Sequence, residues 1–561
     1  MKLKDKESYS FENSSFFKIL FVLLFLFVLL YFFKLGSVGL IDVDEPRYAE
    51  AGREILESGN WIVPYFNYVV RFDKPILFYW LEAISMKVFG VNEFAARLPS
   101  VISALMCAGF IYYLLRTFYG QLVSLLGVLV LMSCFEFASL SRFSITDMTL
   151  ASLISCSTIC FFLGYNQLIS SHRFFKFQIS EFTPWYILGF IFLALAFLTK
   201  GPVSLIIIFL ILAPFFWWIR KLDYFLKSSS FYLGFILFLL MVTPWYLAVH
   251  FATNGEFTKI FFGLHNFSRF TGVVSGHKGS FFYFIPVILI GFLPWAFFLP
   301  QAISCILKKG LKSLLVSPKS QLPWFCLWWF IVVLLFFSFS KTKLLTYILP
   351  LFPALSIIIA LWLEEILTKR AGNRGLTIGL GVFFFFSIII LYFCLFKLNI
   401  LLPREIKSLK LDFQIMLFAF LLFVGVSMAW ASSHRDESMT ISIILCTFVL
   451  FYFCFVTFLL PKIDRHSQLL LRKFALTVPR DVEVGMYKII KPSLTFYARR
   501  QIKNIDSLDE LQEKLNQKEK FAFVTKRKFL EGVTLENSYV WQADSRYIFC
   551  TNYPLRWRHT H

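Results

Sequence analysis

The chain has no CxxC pair and no framework of evenly spaced cysteines: nine of its ten Cys fall in or beside long apolar stretches, and only Cys550 lies in a polar segment. A disulfide scaffold and a cysteine zinc site are thereby excluded. Cys156 and Cys160 share a helix face, where small, polarizable packing accounts for them. Charged residues are scarce as well, at 16%, and no internal repeat is visible. What is abundant is phenylalanine, with 73 of 561 residues, in a chain that is 58% hydrophobic. A water-soluble core cannot absorb that composition.

Crossing a bilayer takes about 20 apolar residues in a helix. Thirteen stretches qualify as spans, at 16–35, 97–117, 121–141, 147–169, 184–199, 202–219, 231–249, 283–303, 322–339, 345–367, 376–396, 412–430 and 439–460. Thr199-Lys200-Gly201-Pro202 interrupts one long apolar region, and a Lys beside Gly-Pro is poor material for a bilayer centre, so a turn is predicted there. The basic start, MKLKDKESYS, precedes a run too long for a signal-peptide core and lacking a small-residue cleavage site, and is expected to stay as an anchor.

With the N-terminus inside, the inside loops collect Arg173 and Lys176, Arg220, Lys221 and Lys227, Lys308, Lys309, Lys312 and Lys319, and Lys369, Arg370 and Arg374. Outside lie 36–96, 142–146, 250–282, 340–344, 397–411 and everything after Leu460. The expected fold is an all-α polytopic membrane domain over 1–460 with a small α/β domain over 461–561. In that tail, Val482–Tyr487, Phe521–Thr525, Tyr539–Trp541 and Tyr547–Cys550 read as strands and Leu508–Asn516 as a helix. The net charge of +21 is topogenic or sits near headgroups. Membrane lipids are therefore expected partners and nucleic acid is not.

The first outer loop, 36–96, carries the densest chemistry. Its segments 47–56 and 76–89 read as short helices lying along the interface. Asp42, Asp44 and Glu45 follow the first span, with Arg47 just beyond, and Arg71-Phe72-Asp73-Lys74-Pro75 forms a second cluster. Two cations flanking a carboxylate can neutralise and orient a phosphate; contact with lipid headgroups is the plainer reading of the same residues. Asp147, Lys200, Lys341, Lys343 and Tyr347 reach the same outer face, and the 250–282 loop adds His250, His265, Arg269, His277 and Lys278. A divalent metal ion has candidate ligands in Asp73, Glu45 and His265. No other cofactor is called for.

At these residues the chain resembles the bacterial lipid-A 4-amino-4-deoxy-L-arabinose transferases and their protein-mannosyltransferase relatives in the GT-C superfamily. The likeness rests on Asp44-Glu45-Pro46-Arg47-Tyr48-Ala49-Glu50, on Phe72-Asp73-Lys74-Pro75 with Tyr79-Trp80, on Thr146-Asp147, on Leu198-Thr199-Lys200-Gly201 and on 340–349 (SKTKLLTYIL). Arg269-Phe270 with Gly276-His277-Lys278, and 491–497 (KPSLTFY) with Arg499, extend it over nearly the whole chain. Asp73 departs from the pattern, since many relatives carry Glu before the Lys-Pro.

The resemblance implies about 13 membrane helices and a periplasmic C-terminal domain in the bacterial inner membrane. It implies a sugar donor on undecaprenyl phosphate and lipid A or another envelope acceptor. Asp44 and Asp147, with Glu45 beside them, would be the catalytic carboxylates. Arg47, Lys74, Lys200, Arg269, Lys341, Lys343 and Tyr347 would surround the donor phosphate. A hexose or hexosamine passed to lipid A, another glycan or an exported protein is the nearest alternative. A transporter would place ionisable groups at the bilayer midplane on repeated, broken helices, and here the charges gather on one face.

Overall fold

The computed structural model describes residues 15–174, 182–268, 279–369, 374–396, 410–434, 436–544 and 546–554. It is a multi-pass helical membrane protein with a small mixed sheet at its C-terminal end. All thirteen apolar stretches contain helix. Among the described residues, seven helices are long and apolar enough to cross a membrane unaided, and five others are apolar but shorter. The stretch predicted as a single span at 283–303 differs: helices Phe281–Gly291 and Trp295–Lys308 meet at 108°. Leu293-Pro294 falls at the corner, and Pro cannot supply the N–H that would continue the ladder. The Leu293 carbonyl accepts instead from Phe135 N–H, at the point where the 121–141 stretch divides into α5 (Gln121–Ser133) and α6 (Phe135–Leu140).

The predicted turn at 199–202 is present. Helix α8 (Pro184–Lys200) stops at Gly201, whose φ of +78° suits glycine, and α9 (Pro202–Trp218) starts on the proline. A side chain at Gly201 could not fit either, because its Cβ would stand 2.6 Å from the Phe261 ring.

The first loop packs inward. Its α2 (Asp44–Ser58) and α3 (Leu77–Phe89) lie against each other, joined by the two-residue strands β1 (Tyr65–Phe66) and β2 (Val69–Val70). The small residues Ala49, Ala51 and Gly52 let α2 approach so closely that a Cβ at Gly52 would be 2.9 Å from Glu82 Cβ. Thus α2 is enclosed rather than spread on the lipid surface. Only α3 keeps an outward apolar edge, at Ile84 and Val88. Helix α4 (Glu93–Phe118) packs against α3, and α7 (Thr146–Phe174) packs against α4.

In the tail, the order is β4-β3-β5-β7-β6, with β3 (Glu483–Tyr487) parallel to β4 (Ile502–Ile505) and β5 (Phe521–Lys526), and β7 (Tyr547–Thr551) antiparallel to β5 and β6 (Tyr539–Ala543). Strand β4 and the short helix Pro492–Ala498 were not anticipated. This sheet is fastened to the first loop. Asp42 accepts from Ser493 N–H (2.9 Å) and Ser493 Oγ (2.7 Å), and Asn67 exchanges bonds of 2.8 and 2.7 Å with the Ile502 backbone. Tyr497 Oη accepts from Leu40 N–H at 2.9 Å and donates to Glu93 at 3.0 Å.

Candidate active site

The three acids of the first cluster go three ways. Asp42 docks the tail. Glu45 is buried and forms a bidentate pair with Arg97, with both contacts at 2.8 Å, while also accepting from Ile41 N–H and Ser144 N–H. Asp44 stays exposed at the first turn of α2, where the helix dipole favours a carboxylate, and faces a polar cavity of about 380 Å³. Glu45 is therefore turned onto the framework and is absent from the linings of this cavity and of the apolar one beside it.

The same polar cavity is lined by Arg47 and Tyr48 of α2, by Asp73 and Lys74, by Thr146 and Asp147 at the start of α7, and by Lys200, Tyr283, Lys343, Thr346 and Tyr347. A second, mostly apolar cavity of about 520 Å³ adjoins it, walled by Leu150, Val203, Ile206, Phe261, Phe262, Phe336 and Phe337. Asp73, Lys74, Asp147, Lys200, Thr346 and Tyr347 line both. The charged residues thus stand at the junction of a greasy arm and a wet one.

Within the junction, Lys200 Nζ lies 2.6 Å from Asp147 Oδ1 and 4.9 Å from the centre of the Tyr347 ring. Lys200 is brought there by the α8–α9 break, and Asp147 by the start of α7. Lys74 is buried and directs its ammonium partly to the Asp73 carbonyl at 3.1 Å.

Arg71 does not line either cavity. It grips both Asp73 oxygens (2.5 and 2.9 Å), donates to the Arg47 carbonyl (2.8 Å) and sits among the rings of Tyr48, Phe66 and Tyr79. Burial would lower the Arg71 pKa, but Asp73 and Tyr79 beside it raise it overall, so the strut stays charged. Burial, with Asp73 next, pushes the Tyr48 phenol up, so Tyr48 faces the cavity as a neutral hydroxyl.

The remaining predicted residues divide. Lys343 lines the polar cavity but spends its ammonium on the carbonyls of Phe337, Ser338 and Ser340 (3.2, 2.7 and 2.8 Å), and burial lowers its pKa. Lys341 is exposed and lies outside both linings. Arg269, His277 and Lys278 lie outside the described residues, as does the side chain of His265. Among the described residues no group of three or more His, Cys, Asp or Glu is placed to hold a metal ion. Of the two metal candidates that are described, Asp73 has both oxygens on Arg71 and Glu45 has both on Arg97.

The sequence reading passed over three buried charges. Arg97 carries Leu35, Val38 and Gly39 carbonyls as well as Glu45. Arg142 closes the end of α1 (Ser15–Phe32) by donating to the carbonyls of Leu30, Tyr31 and Phe33. Glu82 lies wholly buried behind the cavity. Their sequence signal is an ionisable residue at the edge of an apolar run for the two arginines and within one for Glu82.

The family model for dolichyl-phosphate-mannose-protein mannosyltransferase matches residues 16–257. Among curated relatives, the undecaprenyl phosphate-alpha-4-amino-4-deoxy-L-arabinose arabinosyl transferase of Shewanella sediminis is 34% identical over 63% of this chain and 61% of its own length. The second such transferase of Proteus mirabilis is 36% identical over 60% of this chain and 57% of its own. The match thus spans about three fifths of these relatives. The Aeromonas salmonicida enzyme is 29% identical over 73% of this chain and 72% of its own. The crystal structure of ArnT from Cupriavidus metallidurans bound to undecaprenyl phosphate superposes with a TM-score of 0.80 at 21% identity, over 96% of this chain and 99% of that one. Its apo form gives 0.78 over the same shares.

Proposed function

We propose, for a chain with the GT-C fold and aminoarabinosyl transferases among its relatives, that it moves 4-amino-4-deoxy-L-arabinose from undecaprenyl phosphate to lipid A at the periplasmic face of the inner membrane. The observation that carries this is the pair of joined cavities. A prenyl chain fits an arm walled by Phe and Ile side chains, its phosphate fits the junction where Lys74 and Lys200 stand, and the sugar and acceptor fit the polar arm with Asp44 and Arg47.

The chemistry follows from what leaves. A polyprenyl phosphate departs as an anion, so fixed cations and a phenol stabilise it better than a general acid does. In this reading Lys74, Lys200 and the Tyr347 hydroxyl, which share one cavity lining, do that, with Arg47 on the sugar side. A lipid A phosphate is already an anionic nucleophile, and Asp44 then orients groups and balances positive charge on the sugar carbon. A hydroxyl acceptor would instead need Asp44 to remove its proton. Direct displacement with inversion needs no covalent intermediate.

The match to the protein mannosyltransferase model keeps a second reading open, transfer of a hexose to an exported protein. Purified protein, a panel of synthetic undecaprenyl-phosphate sugars, and lipid A or an unfolded peptide as acceptor separate the two by mass spectrometry. Gain of an aminopentose by lipid A supports the first reading. Gain of a hexose by the peptide alone replaces it with the second.

A further inference from the structure

Ser144 sits on the bend between α6 and α7, just before Asp147, and is fully buried. Its N–H donates to Glu45 Oε1 at 2.8 Å, and its hydroxyl donates to Glu82 Oε1. Glu45 is the neighbour of Asp44 on α2, and Glu82 belongs to α3, the helix that follows Lys74. One serine therefore joins the three segments that carry Asp44, Lys74 and Asp147.

The two acids that hold it are unlike. Glu45 is matched by Arg97. Glu82 has no ion-pair partner among the described residues, and its Oε2 is buried without a hydrogen bond, as is the nearby Tyr79 hydroxyl. Burial drives the Glu82 pKa well above the carboxylate range; Ser144 and Arg71 offset only part of this and Glu45 adds to it. An ionised carboxylate so placed would be costly. A neutral acid still offers a carbonyl oxygen to Ser144.

We propose that Ser144, held between Glu45 and Glu82, is the positioning residue that keeps Asp147 in register with Asp44 and Lys74. It touches neither cavity and acts through the loop it pins. This rests on the transferase reading only for its kinetic consequence, because the pinning itself is a property of the fold.

The test uses the full-length protein with Ser144→Ala, Glu82→Ala and Glu82→Gln. In the donor assay, Ser144→Ala and Glu82→Ala are expected to lower kcat per folded enzyme about tenfold or more, since small misplacements of reacting groups are expensive. The donor KM should stay within about twofold, because the apolar arm that binds the prenyl chain is untouched. Glu82→Gln should retain near wild-type kcat, its amide carbonyl replacing that of the acid. Hydrogen exchange of the peptide spanning 141–148 should quicken in the two alanine variants and not in Glu82→Gln.

Wild-type kcat and wild-type exchange in Ser144→Ala overturn the proposal. A Glu82→Gln variant as slow as Glu82→Ala overturns the assignment of a neutral acid. Should the wild-type protein turn over no donor at all, the transferase reading falls, while the exchange comparison still decides whether Ser144 pins the loop.

Discussion

The Lys200 ammonium stands 2.6 Å from the Asp147 carboxylate, at the point where the apolar and polar cavities meet. Both side chains are mostly shielded, with 15% and 16% of their surfaces exposed. Each therefore fixes the other in a geometry that neither would hold in water. On the proposed reading, removing Lys200 leaves Asp147 repelling the donor phosphate, and removing Asp147 frees Lys200 to wander. Lys200→Ala and Asp147→Ala should each reduce kcat/KM strongly, and the double variant should be less impaired than their sum, with a coupling of about 0.5–3 kcal/mol. Additive effects in that cycle would show that the pair does not act as a unit.

Glu45 makes a different kind of prediction. Its pair with Arg97 is buried, with 2% and 3% of the side chains exposed, and removing one partner of such a pair costs about 3–5 kcal/mol. Glu45→Ala should therefore lower the melting temperature and the yield of folded protein, with part of any lost activity restored at low temperature. A variant that melts normally yet is inactive would return Glu45 to the catalytic set.

Much of the body was legible because apolar length is a local property. The break at 199–202 was legible for the same reason, since Gly-Pro acts on its own neighbourhood. The lining of the candidate site was legible in part: Asp44, Arg47, Lys74, Asp147, Lys200, Lys343 and Tyr347 were all singled out, and all seven line one cavity. What failed was the sorting of neighbours. Asp42, Asp44 and Glu45 look alike in a string, but their fates depend on Ser493, the open cavity and Arg97, all distant in sequence. Arg71 looked like a phosphate ligand as much as Lys74 did, until Asp73 and three aromatic rings were seen to enclose it. The fold-back at Leu293-Pro294 and the strand Ile502–Ile505 likewise depend on partners no local pattern names.

The docking of the tail gives a third test. Asp42 and Asn67 between them make four hydrogen bonds to Ser493 and Ile502. At about 1 kcal/mol or more for each lost bond, Asp42→Ala combined with Asn67→Ala should raise amide exchange over 491–505 about tenfold or more. Unchanged exchange would mean that the sheet is held by its apolar contacts alone.

A fourth concerns pH. Burial, with Glu50 beside it, raises Glu54 of α2 to about 8. Its folded pKa is thus above the unfolded value of 4.5, so the folded state holds this proton longer and its stabilising effect is complete only below the unfolded pKa. Stability should decline as pH rises from about 4.5 through 8. Glu54→Gln should flatten that decline, as read by thermal unfolding across the range. An unchanged slope would show that Glu54 is ionised in the folded protein.

The account depends above all on Asp44 and Lys74 serving one cavity, and transfer by Asp44→Asn and Lys74→Ala measures that most directly. Both variants should fold and melt normally. In the donor assay proposed above, both should also lose activity by about 10²-fold or more, the scale for removing a group aimed at transition-state charge. Well-folded variants that transfer sugar at the wild-type rate would contradict it.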